Sequence, residues 1–367
     1  MPTTSHQIVS EQDVLECVKR HKSKMKLVFK NDSGYEQLVG QWNSIEPRGF
    51  FLAQSSRDVQ IAVKCSRLLN LDIALENGVQ NAFDNNSFFG IKFSSMNKVI
   101  VNRQKRIVLS EAGADMELLK RECLSQGVAL PFPNLDLNSL SDFTLNGGFG
   151  FSSRQYGLMS DRLLEVEIVT AKGDILRANP FENSDLFWAL RGGGDENYGI
   201  ATKFIFEAFY APPLVIRVEK NYENPQDFVW LFDNWLSFFA KNPHPSISSQ
   251  LQFNLEVVNG TKVTFVIIDP NFHKSMLLLQ ELMYVIPDIT QKHISIETFT
   301  EMTECTSISN IFNGCKGRLP IQTPCDDHSQ CCSGVCLQQP NTIGRCVGVH
   351  PDLLRNGVMR NSEDEYT

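Results

Sequence analysis

Residues 145–202 read LNGGFGFSSRQYGLMSDRLLEVEIVTAKGDILRANPFENSDLFWALRGGGDENYGIAT, and the fold is decided here. The stretch opens on a glycine cluster, Gly147, Gly148 and Gly150, followed by the turn Ser153-Arg154-Gln155-Tyr156-Gly157. Leu164 to Ala171 reads as a strand, broken at Lys172-Gly173-Asp174, where Gly173 can take positive φ without a Cβ clash. Ile175 to Ala178 completes a hairpin. Asn183-Ser184-Asp185 supplies capping residues for a short helix, Leu186 to Leu190. Arg191-Gly192-Gly193-Gly194 then exposes bare backbone that a ligand can approach closely. Thr202 to Phe209 reads as a further strand.

One glycine cluster alone is most simply a turn. The whole string is more specific. It resembles the flavin domain of FAD-linked oxidases of the berberine-bridge-enzyme type, in the vanillyl-alcohol-oxidase superfamily, where LGGGFG-SR-YGL precedes D-LFWALRGGGGGNFGIVT at about this distance. The likeness reaches upstream to about residue 35 and, more weakly, downstream to about residue 300. It implies an α+β chain with four parts. Residues 1–210 form a PCMH-type FAD-binding fold of two subdomains. Residues 211–304 form a truncated substrate-type domain, an antiparallel sheet backed by helices. Residues 305–350 form a small disulfide-rich module, and residues 351–367 a flexible tail. The cofactor-binding positions implied are Gly78, Gly147, Gly148, Gly150, Gly192, Gly193, Gly194, Asn197, Gly199 and Ile200.

The totals agree with a soluble globular chain: 367 residues, 42% apolar and 21% charged. A net charge of -8 argues against a nucleic-acid partner. No apolar run is long enough for a membrane span, and no secretory leader is visible at the N-terminus. Upstream, residues 11–24 read as an amphipathic helix and residues 49–53 as a strand. Ser55-Ser56-Arg57-Asp58 starts a helix through Leu68, and a strand follows from Leu71 to Leu75. Residues 98–102 and 106–109 read as a hairpin, and residues 114–126 as a helix stopped by Gly127. Three cysteines, Cys17, Cys65 and Cys123, lie scattered here. His6, His21, His244, His273, His293 and His350 show no metal spacing, and no metal site is read.

Against the resembling family, three loops depart. The turn after Leu75 is Arg-Ser-Gly-Gly-His-Ser in the family, where glycine amides reach the FAD diphosphate and the histidine commonly carries the flavin covalently. Here it reads Glu76, Asn77, Gly78, Val79, Gln80, Asn81. Val79 is β-branched and resists positive φ. Gln80 cannot form the flavin bond. A carboxylate about 4 Å from a phosphate charge costs roughly 4 kcal/mol at an effective dielectric near 20. In PNLDLNSLSDFTLN, residues 133–146, the family's second anchoring cysteine falls at Leu135. Its run of small residues falls on Ser139, Ser141 and Asp142, and a glycine on Asn146. Asp195-Glu196 replaces two more glycines. Each change adds bulk or negative charge beside a doubly charged ligand, so weak or absent FAD binding, without a covalent bond, is expected.

Asp227 to Ala240 reads as a helix with the stripe Phe228, Leu231, Trp235, Phe238, Phe239, which is core rather than a cofactor box. Ser249 to Val257 and Thr261 to Ile268 alternate as strands around Asn259-Gly260, and Lys274 to Val285 reads as a helix. Nothing matches the remainder of the family's chain, and no catalytic base carries over. In its place stands CKGRLPIQTPCDDHSQCCSGVCLQQPNTIGRC, Cys315 to Cys346, with six cysteines and no room for an apolar core. Spacing alone leaves about 15 pairings open. A zinc site is the rival reading, which vicinal Cys331-Cys332 and the single His328 fit poorly. The cassette resembles an inhibitor cystine knot, a conotoxin-like knottin. That resemblance implies Cys315–Cys332, Cys325–Cys336 and Cys331–Cys346, with Cys305 left over.

The sequence therefore points to a degenerate FAD-linked oxidoreductase scaffold, catalytically inactive. It is kept as a structural or interaction protein with an unidentified protein partner, in an extracellular or otherwise oxidising setting such as a particle surface. The alternatives are a working oxidoreductase with non-covalent FAD acting on a small alcohol, sugar or amine, and a toxin- or inhibitor-like knottin on a carrier domain.

Overall fold

The computed structural model describes residues 9–39, 46–75, 88–93, 95–134, 139–194, 198–222, 225–253, 261–286 and 289–304, and the backbone of three short strands beyond them. The chain divides into two compact units. The first is Met1–Leu130, Leu137–Gly148 and Leu158–Tyr210; the second is Pro131–Asp136, Phe149–Gly157 and the residues from Ala211 on. The sequence reading placed its boundary at 210/211 but kept residues 131–136 and 149–157 in the first part.

Among the described residues the first unit holds two larger sheets and one two-stranded sheet. One has the order β1-β2-β4-β3, with β1 Lys26–Phe29, β2 Gly49–Leu52, β3 Asp72–Leu75 and β4 Phe88–Lys92. β2 and β3 run parallel to β4, and β1 is antiparallel to β2. All five residues of β4 are buried, as a parallel strand covered on both faces requires. Two helices cover this sheet, α1 (Glu11–Arg20) and α3 (Ser56–Leu69); α2 (Tyr35–Val39) is short. Ser10 and Asp13 form a capping box that starts α1. Ser55 caps α3, which ends at Asn70 in the left-handed conformation. Val14, Cys17 and Val18 of α1 pack with Val59, Ala62, Val63 and Cys65 of α3 over Phe51, Phe89 and Ile91. The three cysteines are not scattered: Cys17 and Cys65 form a disulfide, and Cys123 is free and buried.

The second sheet is antiparallel, in the order β5-β6-β10-β8-β9. It is built from β5 (Val99–Asn102), β6 (Ile107–Glu111), β8 (Leu163–Val169), β9 (Ile175–Ala178) and β10 (Ile200–Glu207). Thr202, Phe204 and Phe206 of β10 are buried in the period-2 pattern of a strand. β8 and β9 make the expected hairpin, with Gly173 at φ 78 in its turn. α4 (Met116–Ser125) starts at the Asp115 cap. β7 (Val128–Ala129) pairs with β11 (Phe209–Tyr210), and α5 (Leu140–Leu145) and α7 (Ser184–Ala189) flank the glycine clusters. Asn183 precedes α7 in the left-handed region and makes no side-chain cap, contrary to the sequence expectation.

Glu167 couples α3 to this sheet. Its Oε1 accepts from Ser56 Oγ, from Thr202 Oγ1 at 2.9 Å and from Lys203 Nζ at 3.0 Å. Burial pushes this carboxyl's pKa up, but the bonds from Ser56, Lys203 and Thr202, with the Lys203 charge, outweigh it and hold the pKa below the ordinary glutamate value.

The second unit carries an antiparallel sheet in the order β13-β14-β12-β15, formed by β12 (Val215–Tyr222), β13 (Ile247–Phe253), β14 (Thr261–Ile267) and β15 (Ile294–Glu297). α8 (Pro225–Ala240) and α9 (Phe272–Val285) pack on it through Leu231, Phe238, Met276, Leu279 and Leu282. Trp235 and Phe239 of the sequence stripe join that core from its edge. α6 (Ser153–Tyr156) and α10 (Phe299–Glu304) complete the unit. Arg217 is buried: its Nε donates to Glu297 Oε2 at 3.1 Å and its Nη2 to the Met302 carbonyl at 3.1 Å. Further on, β16 (Pro324–Cys325), β17 (Cys336–Leu337) and β18 (Gly344–Cys346) pair antiparallel in the order β16-β18-β17. The side chains of the cassette, its three implied bridges, the zinc alternative, Cys305, the Asn259-Gly260 turn and the tail lie outside the described residues.

Candidate functional site

The second glycine cluster closes on one carbonyl at the end of α5. Gly192 N–H donates to Leu145 O at 3.0 Å, and Gly194 N–H donates to the same oxygen at 3.2 Å. Gly193 N–H donates to Ala189 O at 3.0 Å, and Gly147 N–H to Thr144 O at 3.2 Å. The end of α5 and the turn after α7 are thus fastened to each other. Gly148 O and Gly147 O in turn accept from Met159 and Ser160 at 2.9 Å each.

Most of these glycines are required by packing. A Cβ on Gly193 would stand 2.4 Å from Ala189 O, and one on Gly199 would stand 2.4 Å from Val169 O. Gly148 is closed in by Met159 and Phe143. Ile200 starts β10 opposite Val169 and packs on the first core. Gly150 falls in the second unit, where a Cβ would lie 1.9 Å from Phe132 O and its own N–H donates to Ser153 Oγ at 2.9 Å. Gly192 is different, with none of the described residues within 4 Å of its added Cβ; among them Gly147 meets only Leu158, at 3.9 Å. Gly78, Asn197 and the substituted positions Glu76, Val79, Gln80, Leu135, Asp195 and Glu196 lie outside the described residues.

Two side chains of α5 stand out here, Thr144 and Ser141, the latter at a position where the resembling family has a small residue. Ser141 Oγ and Thr144 Oγ1 of α5 are buried with no hydrogen-bond partner among the described residues. A buried hydroxyl in that state costs about 1–3 kcal/mol, which a polar ligand atom would relieve. Nothing in the sequence marked Thr144, and Ser141 entered only as an altered cradle position, because Ser and Thr in a short helix are usually caps or surface residues. Arg191 brings a guanidinium to the glycine turn, 4.9 Å over the Phe187 ring. Cys123, by contrast, is no nucleophile: burial, then Glu122, pushes its thiol up to about 12.

Residues 47–179 match the family model described as FAD binding domain. The first half of the chain is similar to FAD-linked oxidoreductases. The FAD-linked oxidoreductase YvdP of Bacillus subtilis, itself named as uncharacterized, is 34% identical over 195 residues, 51% of this chain and 43% of that protein. Glucooligosaccharide oxidase of Sarocladium strictum is 28% identical over 224 residues, 58% of this chain and 44% of that protein. Among solved structures, the Physcomitrella patens berberine-bridge-enzyme-like protein 1 overlays with a TM-score of 0.66 at 21% identity, covering 80% of this chain and 64% of that one. Wild-type Phl p 4.0202, a glucose dehydrogenase, overlays with a TM-score of 0.71 at 18% identity, covering 81% of this chain and 63% of that one. The mixed α/β fold expected from the sequence is therefore the fold found. The chain spans about two fifths of the length of the first two curated relatives, 43% and 40%.

The loop that the family resemblance assigns to the FAD diphosphate, residues 76–81, lies outside the described residues, and the described glycine turns offer FAD mainly amides already bonded within the protein. The amides of Gly147, Gly192, Gly193 and Gly194 are taken up by the protein's own carbonyls. What is left over is two hydroxyls, an arginine and the open flanks of Gly147 and Gly192. No helix among the described residues is long and apolar enough to cross a membrane.

Proposed function

We propose that the chain is a flavin-domain scaffold that holds FAD weakly and without a covalent bond, and works through binding rather than oxidation. The observation that carries this is the pairing of the Gly192 and Gly194 amides with Leu145 O, which leaves the glycine turn self-satisfied. Gln80 and Leu135 support it, because neither side chain can form the bonds made by the histidine and cysteine anchors of the resembling family. The partner class is a protein, met through the six-cysteine cassette between Cys315 and Cys346, whose resemblance to a cystine knot gives a rigid displayed surface. The setting is oxidising; the Cys17–Cys65 disulfide supports that independently of the cassette. Visible absorption of the natively purified protein tests the reading: little flavin absorbance is expected, all of it released on acid precipitation.

A second reading is favoured by Ser141 and Thr144, whose orphaned hydroxyls suit a polar ligand, and by the likeness to FAD-linked oxidoreductases. On this reading the chain is an oxidoreductase with dissociable FAD. The cofactor would supply hydride acceptance toward a small alcohol, sugar or amine. Stoichiometric flavin that a substrate of this class bleaches under anaerobic conditions would decide for it.

A further inference from the structure

Cys17 and His21 stand at i and i+4 of α1, one turn apart on one face. Cys65 reaches the same place from α3 and is joined to Cys17 by the disulfide. Both cysteines are buried, at 3% and 0% exposure. His21 is the C-cap of α1, held there by its amide on Cys17 O. The two sulfurs and a ring nitrogen all lie within 4.8 Å of one another, with the imidazole on the solvent side.

We propose that this trio is a redox-gated zinc site: a disulfide in oxidising conditions, and a Cys2His zinc site once the bond is reduced. A plain staple between two helices needs no third ligating group, yet here an imidazole nitrogen lies within 4.8 Å of both sulfurs. Thiolate and imidazole are zinc's preferred donors, at about 2.3 and 2.0–2.1 Å. A tetrahedral ion therefore needs its ligand atoms roughly 3.4–3.8 Å apart. The three atoms lie within 4.8 Å of one another, so zinc would have to draw the nitrogen in and let the sulfurs part after reduction. The i, i+4 pair on a helix with a third ligand from elsewhere is an arrangement zinc sites use. Three protein ligands leave the fourth position open, on the solvent side next to His21.

The chemistry balances. A dithiol reductant delivers two electrons and two protons to the Cys17–Cys65 bond and is itself oxidised to a disulfide. Zinc then displaces the two thiol protons into water, and His21 enters as neutral imidazole. α1 and α3 remain tied together in both states, so the fold survives reduction while zinc is present.

The test uses the full chain, reduced with a non-thiol phosphine, loaded with zinc under anaerobic conditions and desalted before metal analysis. The Cys17→Ser/Cys65→Ser variant keeps every other cysteine and serves as reference. Wild type is expected to hold one more zinc per chain than this variant, and oxidised wild type is expected to hold none at this site. His21→Ala leaves the disulfide and fold in place. It is expected to weaken zinc binding by more than the ~10–100-fold that losing a ligand's own hydrogen-bond partner costs, and His21→Cys is expected to restore it. Cobalt substituted into the reduced protein should show tetrahedral d–d absorption in excess of that of the double serine variant, an excess that His21→Ala reduces. Equal zinc content in wild type and the double serine variant would overturn the proposal, as would zinc binding that His21→Ala leaves unchanged.

Discussion

The amide of Gly192 donates to the carbonyl of Leu145 at 3.0 Å. Forty-odd residues separate the two in sequence, and the bond turns what reads as a ligand loop into part of the fold. Gly193 sits beside it with no room for a side chain, since an added Cβ would lie 2.4 Å from Ala189 O. Gly193→Ala is expected to destabilise the first unit by about 1–3 kcal/mol, the usual cost of forcing a methyl into packed backbone. Urea unfolding with and without FAD checks it, and the loss should be the same in both.

The Glu167 carboxylate should make the first unit acid-sensitive. Its folded pKa lies below the ordinary value of 4.5. A group depressed in this way contributes its full stabilisation above its unfolded pKa, and loses it as pH falls through the folded one. Stability should therefore drop below about pH 4.5. Glu167→Gln should flatten part of that drop while lowering stability at neutral pH. Thermal unfolding of both proteins across pH 3–7 measures this.

In the second unit, Arg217 and Glu297 are buried together at 7% and 5% exposure. Burial alone would lower the Arg217 pKa, yet the Glu297 and Glu219 charges raise it, so the guanidinium stays charged. Glu297→Ala leaves the guanidinium short of its counter-charge and is expected to cost about 3–5 kcal/mol. Replacing both members of the pair with apolar residues of similar volume should cost much less. A double-mutant cycle by chemical denaturation separates the two outcomes.

The Cys17–Cys65 bridge spans a sequence separation of 48. On the chain-entropy account, closing a loop of that size stabilises by about 4 kcal/mol. Cys17→Ser/Cys65→Ser should lower the denaturation midpoint accordingly, in metal-free buffer. Cys123→Ser should leave the sensitivity to reductant unchanged.

Much of this was legible from sequence. The hairpin around Gly173, the capped helix from Ser55 and the β10 run were readable because local chemistry and periodicity agree there. β4 was missed: Phe88–Lys92 is a short, wholly buried run with no alternation to read. β12 and β15 were missed for a related reason, since Arg217 and Glu297 interrupt apolar runs and only their mutual pairing explains them. The Cys17–Cys65 bond joins two helices that sequence gave no reason to bring together. At the candidate site, sequence marked every glycine alike. Geometry divides them into those that packing demands, such as Gly193 and Gly199, and those with open flanks, Gly147 and Gly192. That division depends on neighbours distant in the chain, so no local pattern carries it.

The most direct measurement is an equilibrium titration of the purified full chain with FAD, read by quenching of flavin fluorescence and followed by acid precipitation. Weak binding, with all flavin left in the supernatant and no turnover of sugars, alcohols or amines, is the result expected. Stoichiometric flavin carried through purification, bound tightly or retained in the acid pellet, would contradict the account.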